Sequence, residues 1–158
     1  MASAFNNCRN QKLKMMPLQL FVDPKVKPVA IKKAAVIPIH LEEAVKADLD
    51  RDVCLGILMK VDVNSPVKWL SHMIVTLKKD GTPRWIIDYK RLNDAIPRQT
   101  NVMQSPFKCA SACPPGKKKT LLDAKDGYHS VILAEADWEY NEFLCEFGRF
   151  VVSARVKG

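Results

Sequence analysis

No stretch of this 158-residue chain stays apolar for the length needed to cross a bilayer as a helix, so a membrane protein is not expected. The polar start from Met1 to Asn10 lacks the continuous apolar core of a secretory signal. The expectation is an intracellular protein, not secreted and without a membrane partner. Cysteine is scarce and odd in number. Cys8, Cys54, Cys109, Cys113 and Cys145 are too scattered for the dense, even framework of small secreted domains. They read as reduced thiols, and Cys109 and Cys113 lack a second Cys or His pair at the spacing of a zinc site. No G-x-S-x-G, H-E-x-x-H or G-x-G-x-x-G occurs, which removes the common hydrolase, metalloprotease and dinucleotide signatures. Acidic residues are also in deficit, 17 against 25 Lys and Arg, for a net charge of +8. Surplus cations attract polyanions and release their counterions, so nucleic acid is the leading partner class.

Along the chain, residues 1–38 are basic, interrupted by Pro17, Pro24, Pro28 and Pro38, and without sustained periodicity. They read as an extended or loosely held leader or linker. After Pro38, Leu41, Val45, Leu49 and Val53 recur every fourth residue, the pattern of an amphipathic helix stopped at Gly56. Met73, Val75 and Leu77 alternate with His72, Ile74 and Thr76, and Trp85, Ile87 and Tyr89 with Arg84, Ile86 and Asp88. Asp80-Gly81 between them supplies positive-φ residues, which predicts a β-hairpin from His72 to Lys90. Pro97, Pro106, Pro114 and Pro115 leave room only for a short helix at Phe107 to Ala112. A buried strand is expected from Thr120 to Leu122, ending on Asp123, and a second hairpin from Phe143 to Ser153 turning near Phe147-Gly148-Arg149.

Two motif matches fail. Asp48, Asp50 and Asp52 invite a calcium loop, but its sixth and twelfth positions hold Val53 and Met59, so the three acids read as a solvated helix face. Gly116-Lys117 hints at a phosphate loop, but its first glycine would fall at Ser111. The cluster Lys117-Lys118-Lys119 is then either a solvated loop or a weak contact for nucleic-acid phosphates. His40, His72 and His129 belong to no recognisable nucleophile or zinc arrangement. In Leu121 to Ser130, an aspartate at a strand end followed by Gly127 can present a carboxylate for Mg²⁺ and backbone N–H groups for phosphate. An ordinary Asp-containing turn has the same composition.

Together, Trp69-Leu70-Ser71, the stretch Leu77 to Arg84, Asp88-Tyr89-Lys90-Arg91-Leu92-Asn93 and Leu122-Asp123 through Gly127-Tyr128-His129-Ser130 resemble reverse transcriptases of gypsy-type LTR retrotransposons, in order and in spacing. Ser105-Pro106-Phe107 and Phe143 to Phe150 agree, so the likeness runs from His40 to Gly158. It implies an α+β fold: the fingers and partial palm of a right-hand polymerase, with the amphipathic helix, a fingers hairpin and the first palm strand. Residues 39–158 would be this partial domain and 1–38 the leader. The resemblance assigns Asp123 as the first catalytic carboxylate, holding Mg²⁺. It makes Lys78 or Lys79, together with Arg84, cations that grip the incoming triphosphate, and Asp126 and Gly127 donors of backbone N–H groups to it. Tyr128 would lie under the sugar. The implied partners are an RNA or DNA template-primer, dNTPs and the rest of a Pol polyprotein.

The chain also departs from the family's pattern. Asn141-Glu142 puts a charge where an apolar or small residue is expected, and Val156-Lys157-Gly158 replaces a Pro-Gln-Gly-like end, which points to sequence decay or a divergent lineage. The family's Tyr-x-Asp-Asp turn would lie beyond Gly158, and the chain holds no Asp-Asp pair. One carboxylate cannot organise a two-metal site, so the expectation is a polymerase fragment inactive alone. The alternative is a non-catalytic nucleic-acid-binding remnant or adopted domain of a retroelement.

Overall fold

A computed structural model of the chain describes residues 16–98, 100, 102–116, 118, 120 and 131–153. Helix α1, Ile39–Cys54, forms where the four-residue apolar spacing begins and buries Leu41, Val45 and Leu49 on one stripe. Each such side chain contributes about 1.5–3 kcal/mol by leaving water. Arg51 in its last turn pairs with Asp48 at 2.6 Å. The helix ends as expected, with Gly56 at φ 72° in the left-handed region that other residues avoid.

One departure lies on this helix. Asp52 is buried, and the guanidinium of Arg51 bonds its Oδ1 at 3.2 Å, so the three acids do not form a single solvated face. The reason is angular: Asp52 sits three positions after Leu49 and falls on the packed stripe.

Strand β1, Leu58–Val61, follows, then β2, Ser71–Leu77, and β3, Pro83–Asp88. Helices α2, Lys90–Asp94, and α3, Pro106–Ser111, precede a 3₁₀ turn at Glu135–Tyr140 and strands β4, Glu142–Cys145, and β5, Gly148–Val152. The five strands form one sheet in the order β1-β5-β4-β2-β3. All neighbours are antiparallel except β2 and β4, which run parallel through Ser71↔Phe143 and His72↔Leu144. Both hairpins read from the sequence are present, in an α+β arrangement.

Strand alternation sends Leu58, Met73, Phe143, Cys145 and Phe150 to one face, where α1 and Ile37 cover them. Val75, Trp85 and Ile87 pack against the same core. The Phe143 ring is fully buried and stacks between Trp85 at 5.9 Å and Phe150 at 5.6 Å, so aromatic contact joins the two hairpins. A smaller core gathers Trp69, Leu92 and Ala95 with Val22, Val29, Tyr89, Ile96 and Tyr140.

The stretch expected to be a loosely held leader is extended but tied to the rest of the described chain from Leu18 onward. Leu18 N–H donates to Ile132 at 2.8 Å, Leu20 N–H to the Asp137 carboxylate at 2.9 Å and Asp23 N–H to Ala95 at 2.9 Å. Ala30 bridges Leu70 in parallel, and Ile37 enters the main core. Prolines leave this segment without helix or long strand, yet isolated backbone bonds and spaced apolar residues still hold it.

Candidate functional site

The β2–β3 hairpin is registered by Met73↔Ile87, Val75↔Trp85 and Leu77↔Pro83 on the core side and by His72↔Asp88, Ile74↔Ile86 and Thr76↔Arg84 on the other. Arg84 therefore stands on the face away from the core, on the second rung from the tip. The tip itself closes by Lys78 N–H donating to Thr82 at 2.9 Å and Gly81 N–H to Lys78 at 3.0 Å. Gly81 has φ 80°, the conformation that makes the Asp80-Gly81 pair useful there. Asp80 orders the turn from within: its carboxylate accepts the Thr82 hydroxyl at 2.7 Å and the Thr82 N–H at 3.0 Å. Those two bonds, with the Lys78 charge, hold the Asp80 carboxyl below the ordinary range.

Arg84 and both Lys78 and Lys79, one or other of which the resemblance pairs with it, are all exposed. None of them forms an ion pair among the described residues. The hairpin thus presents cations on a hydrogen-bonded base, and such groups bind anions of phosphate type.

Glu142 and Arg149 behave in the opposite way. Both side chains turn to the sheet face away from α1, where Arg149 is 3% and Glu142 13% exposed. Arg149 Nε lies 2.9 Å from Glu142 Oε2. Its Nη1 donates to the Ser65 carbonyl at 2.8 Å and its Nη2 to the Ser65 hydroxyl. The charge that departs from the family pattern thus neutralises a buried cation. Burial pushes the Glu142 carboxyl above its ordinary range, Arg149 pulls it down, and Glu139 pushes it up. Sequence reading missed this pair because its partners meet only in the β4–β5 register, diagonally across Glu142↔Val151 and Leu144↔Arg149. Tyr89, within the smaller core, donates its hydroxyl to Asn141 at 3.2 Å, and burial raises its pKa.

Where β3 gives way to α2, a cleft of about 20 Å³ is bordered by Ile31, Trp69, His72, Asp88 and Arg91. His72 Nδ1 is buried there without a hydrogen-bond partner among the described residues. The four described cysteines are free thiols. Of the strand expected at Thr120 to Leu122, Thr120 is described, exposed and not in a strand, while Leu121, Leu122 and the site residues Asp123, Asp126, Gly127 and Tyr128 lie outside the described residues, as do Lys117 and Lys119. Lys118 is exposed. Among the described residues no group of three His, Cys, Asp or Glu could hold a metal ion, and no helix is long and apolar enough to cross a membrane.

No family model and no curated protein matches the chain. Solved structures do. A selenomethionine-labelled mutant of prototype foamy virus protease-reverse transcriptase is 18% identical, with a TM-score of 0.72 over 92% of this chain and 19% of that one. The foamy viral protease-reverse transcriptase in complex with double-stranded DNA is 18% identical, with a TM-score of 0.67 over 96% of this chain and 28% of that one. This chain therefore spans less than a third of those neighbours. The likeness shows the fold: an α+β arrangement matching part of a reverse transcriptase, its fingers and palm region.

Proposed function

We propose that the chain is the fingers and partial palm of an RNA-directed DNA polymerase of a gypsy-type LTR retrotransposon, part of a Pol polyprotein, and inactive alone. One observation carries the reading: in a reverse-transcriptase-like fold, the β2–β3 tip holds Lys78, Lys79 and Arg84 exposed and free of ion pairs among the described residues. The Arg84 guanidinium offers a planar fork to phosphate oxygens, and the lysines add point charges that neutralise a triphosphate. The strand register fixes where Arg84 leaves the sheet, so the grip needs little reorganisation.

Asp123 is the carboxylate that would hold Mg²⁺, with Asp126, Gly127 and Tyr128 around the nucleotide. Bound Mg²⁺ ions in such a site activate a primer 3′-hydroxyl and neutralise the leaving pyrophosphate. The chain has no Asp-Asp pair to complete a two-metal set, which is why inactivity in isolation is part of the proposal.

Primer extension with template-primer, dNTPs and Mg²⁺ tests that part. The expected result is no synthesis, and Mg²⁺-dependent extension by the chain alone overturns it. Binding of a fluorescent dNTP tests the hairpin. The variant K78A/K79A/R84A loses several charge-assisted bonds, so affinity should fall by about tenfold or more. Unchanged affinity would remove the hairpin from the nucleotide site.

A further inference from the structure

The positive charge of this protein is not spread evenly. Residues 1–38 carry seven Lys or Arg against the single Asp23, a surplus of six, while residues 39–158 carry eighteen against sixteen acids, a surplus of two. The larger share of the net charge therefore lies outside the part of the chain that bears the hairpin. Four of these cations, Lys25, Lys27, Lys32 and Lys33, sit on the described part of the segment, and all four are exposed. None forms an ion pair among the described residues.

The segment that carries them is fixed. Val22 and Val29 face the smaller core, and Leu70 N–H donates to Val29 at 3.1 Å while Ile31 N–H donates to Leu70 at 3.2 Å. Asp23 is occupied within the segment: its carboxylate accepts the Lys25 N–H at 2.9 Å and its carbonyl the Val26 N–H at 3.1 Å. The valines are half-buried and the four lysines exposed, along a stretch whose eight steps reach at most about 29 Å. A solvated loop would let its charges wander, whereas a strip pinned at both ends keeps like charges together at a cost in mutual repulsion that an anionic partner would relieve.

We propose that Lys25, Lys27, Lys32 and Lys33 form a phosphate-backbone strip for nucleic acid, separate from the β2–β3 tip. The proposal rests on the reading of this chain as a nucleic-acid-binding polymerase part. It adds a second contact surface that works without a nucleotide. Contacts of this kind position a duplex and carry no base sequence information.

The test is the salt dependence of binding between the full chain and a short DNA duplex, with no dNTP present. For duplex DNA each phosphate contact contributes about 0.9 to the slope of log affinity against log salt. The variant K25Q/K27Q/K32Q/K33Q should lose about 2 to 4 from that slope and about tenfold or more in affinity near 50 mM salt. The double variant K32Q/K33Q should lose about half of that, and K46Q on α1 should lose almost nothing. Because backbone bonds and valines hold the segment, circular dichroism and melting of the variants should match the unaltered chain. Tight wild-type binding with an unchanged slope in both variants overturns the strip and leaves the polymerase reading standing. No wild-type duplex binding at all overturns both. Loss of binding to phosphatidylserine vesicles, with the duplex slope unchanged, overturns the strip in favour of a membrane surface.

Discussion

The two antiparallel hairpins of this sheet handle positive charge in opposite ways. β4–β5 turns tightly through Glu146 and Phe147 and draws Arg149 inward, where it pairs with the charge of Glu142 and donates to Ser65. β2–β3 closes over Lys78–Thr82 and leaves Lys78, Lys79 and Arg84 in solvent. Both hairpins contribute core residues on the α1 side, and Phe143 joins them by stacking on Trp85. The difference lies on the other face, which is closed over β4–β5 and open at Ile74, Thr76, Arg84 and Ile86 of β2–β3. A cation that is satisfied inside serves the fold, and a cation held outside without a partner is available to a ligand.

The sharpest way to break the comparison is to remove Arg149. Arg149→Met should destabilise the chain by about 3–5 kcal/mol, because Glu142 is left as a buried charge without its partner. Urea unfolding measures the loss. Adding Glu142→Leu should recover most of it, since an apolar pair of similar volume avoids the desolvation cost altogether. If the double variant is no more stable than Arg149→Met, Glu142 is not the reason for the loss.

The same pair predicts a pH dependence of intermediate size. The Glu142 carboxyl is raised in the folded state, first by burial, so the folded chain holds that proton more tightly than the unfolded chain. Its contribution is fully present below about pH 4.3, the unfolded value, and is lost as pH rises through the raised folded value. Glu142→Gln should therefore flatten the fall of stability with rising pH just above that point, and the cost of Arg149→Met should shrink on its acid side. Melting curves across that range check both outcomes. An identical pH profile for Glu142→Gln would contradict the assigned direction.

Local chemistry made much of this fold legible. The four-residue spacing of Leu41, Val45 and Leu49 marked α1, alternation on either side of Asp80-Gly81 marked the β2–β3 hairpin, and Phe147-Gly148 lay at the turn of β4–β5. What escaped depends on separations that periodicity does not encode. Arg149 meets Ser65 across 84 residues, and Leu20 meets Asp137 across 117. Residues 16–38 looked like a linker because prolines break every period, although their backbone groups find partners on 70, 95 and 132. Of the candidate site, Asp80-Gly81 located the hairpin, and the resemblance singled out the cations around its tip. That Lys78, Lys79 and Arg84 form no ion pair among the described residues could be seen only once the register and the opposite face were known.

A smaller effect belongs to the tip itself. Gly81→Ala puts a Cβ on a residue at φ 80° with nothing within 4 Å, so the cost is backbone strain without a clash. About 1 kcal/mol is expected, read as a modest fall in melting temperature. Nucleotide affinity should fall with it if the turn positions Lys78 and Lys79, and stay unchanged if those lysines act only as diffuse charge.

The smallest expected change in stability belongs to K78A/K79A/R84A. These side chains are exposed and form no ion pair among the described residues, so melting should shift by no more than about 0.5 kcal/mol in stability. Removing three like charges from one tip also relieves repulsion, which makes a slight rise as natural as a slight fall. The comparison predicts a dissociation of effects: one buried arginine governs stability, whereas three exposed cations govern triphosphate affinity and leave stability almost untouched. If the triple variant instead lost stability on the scale of Arg149→Met, the β2–β3 cations would be structural, and the contrast between the hairpins would be one of exposure without a difference in role.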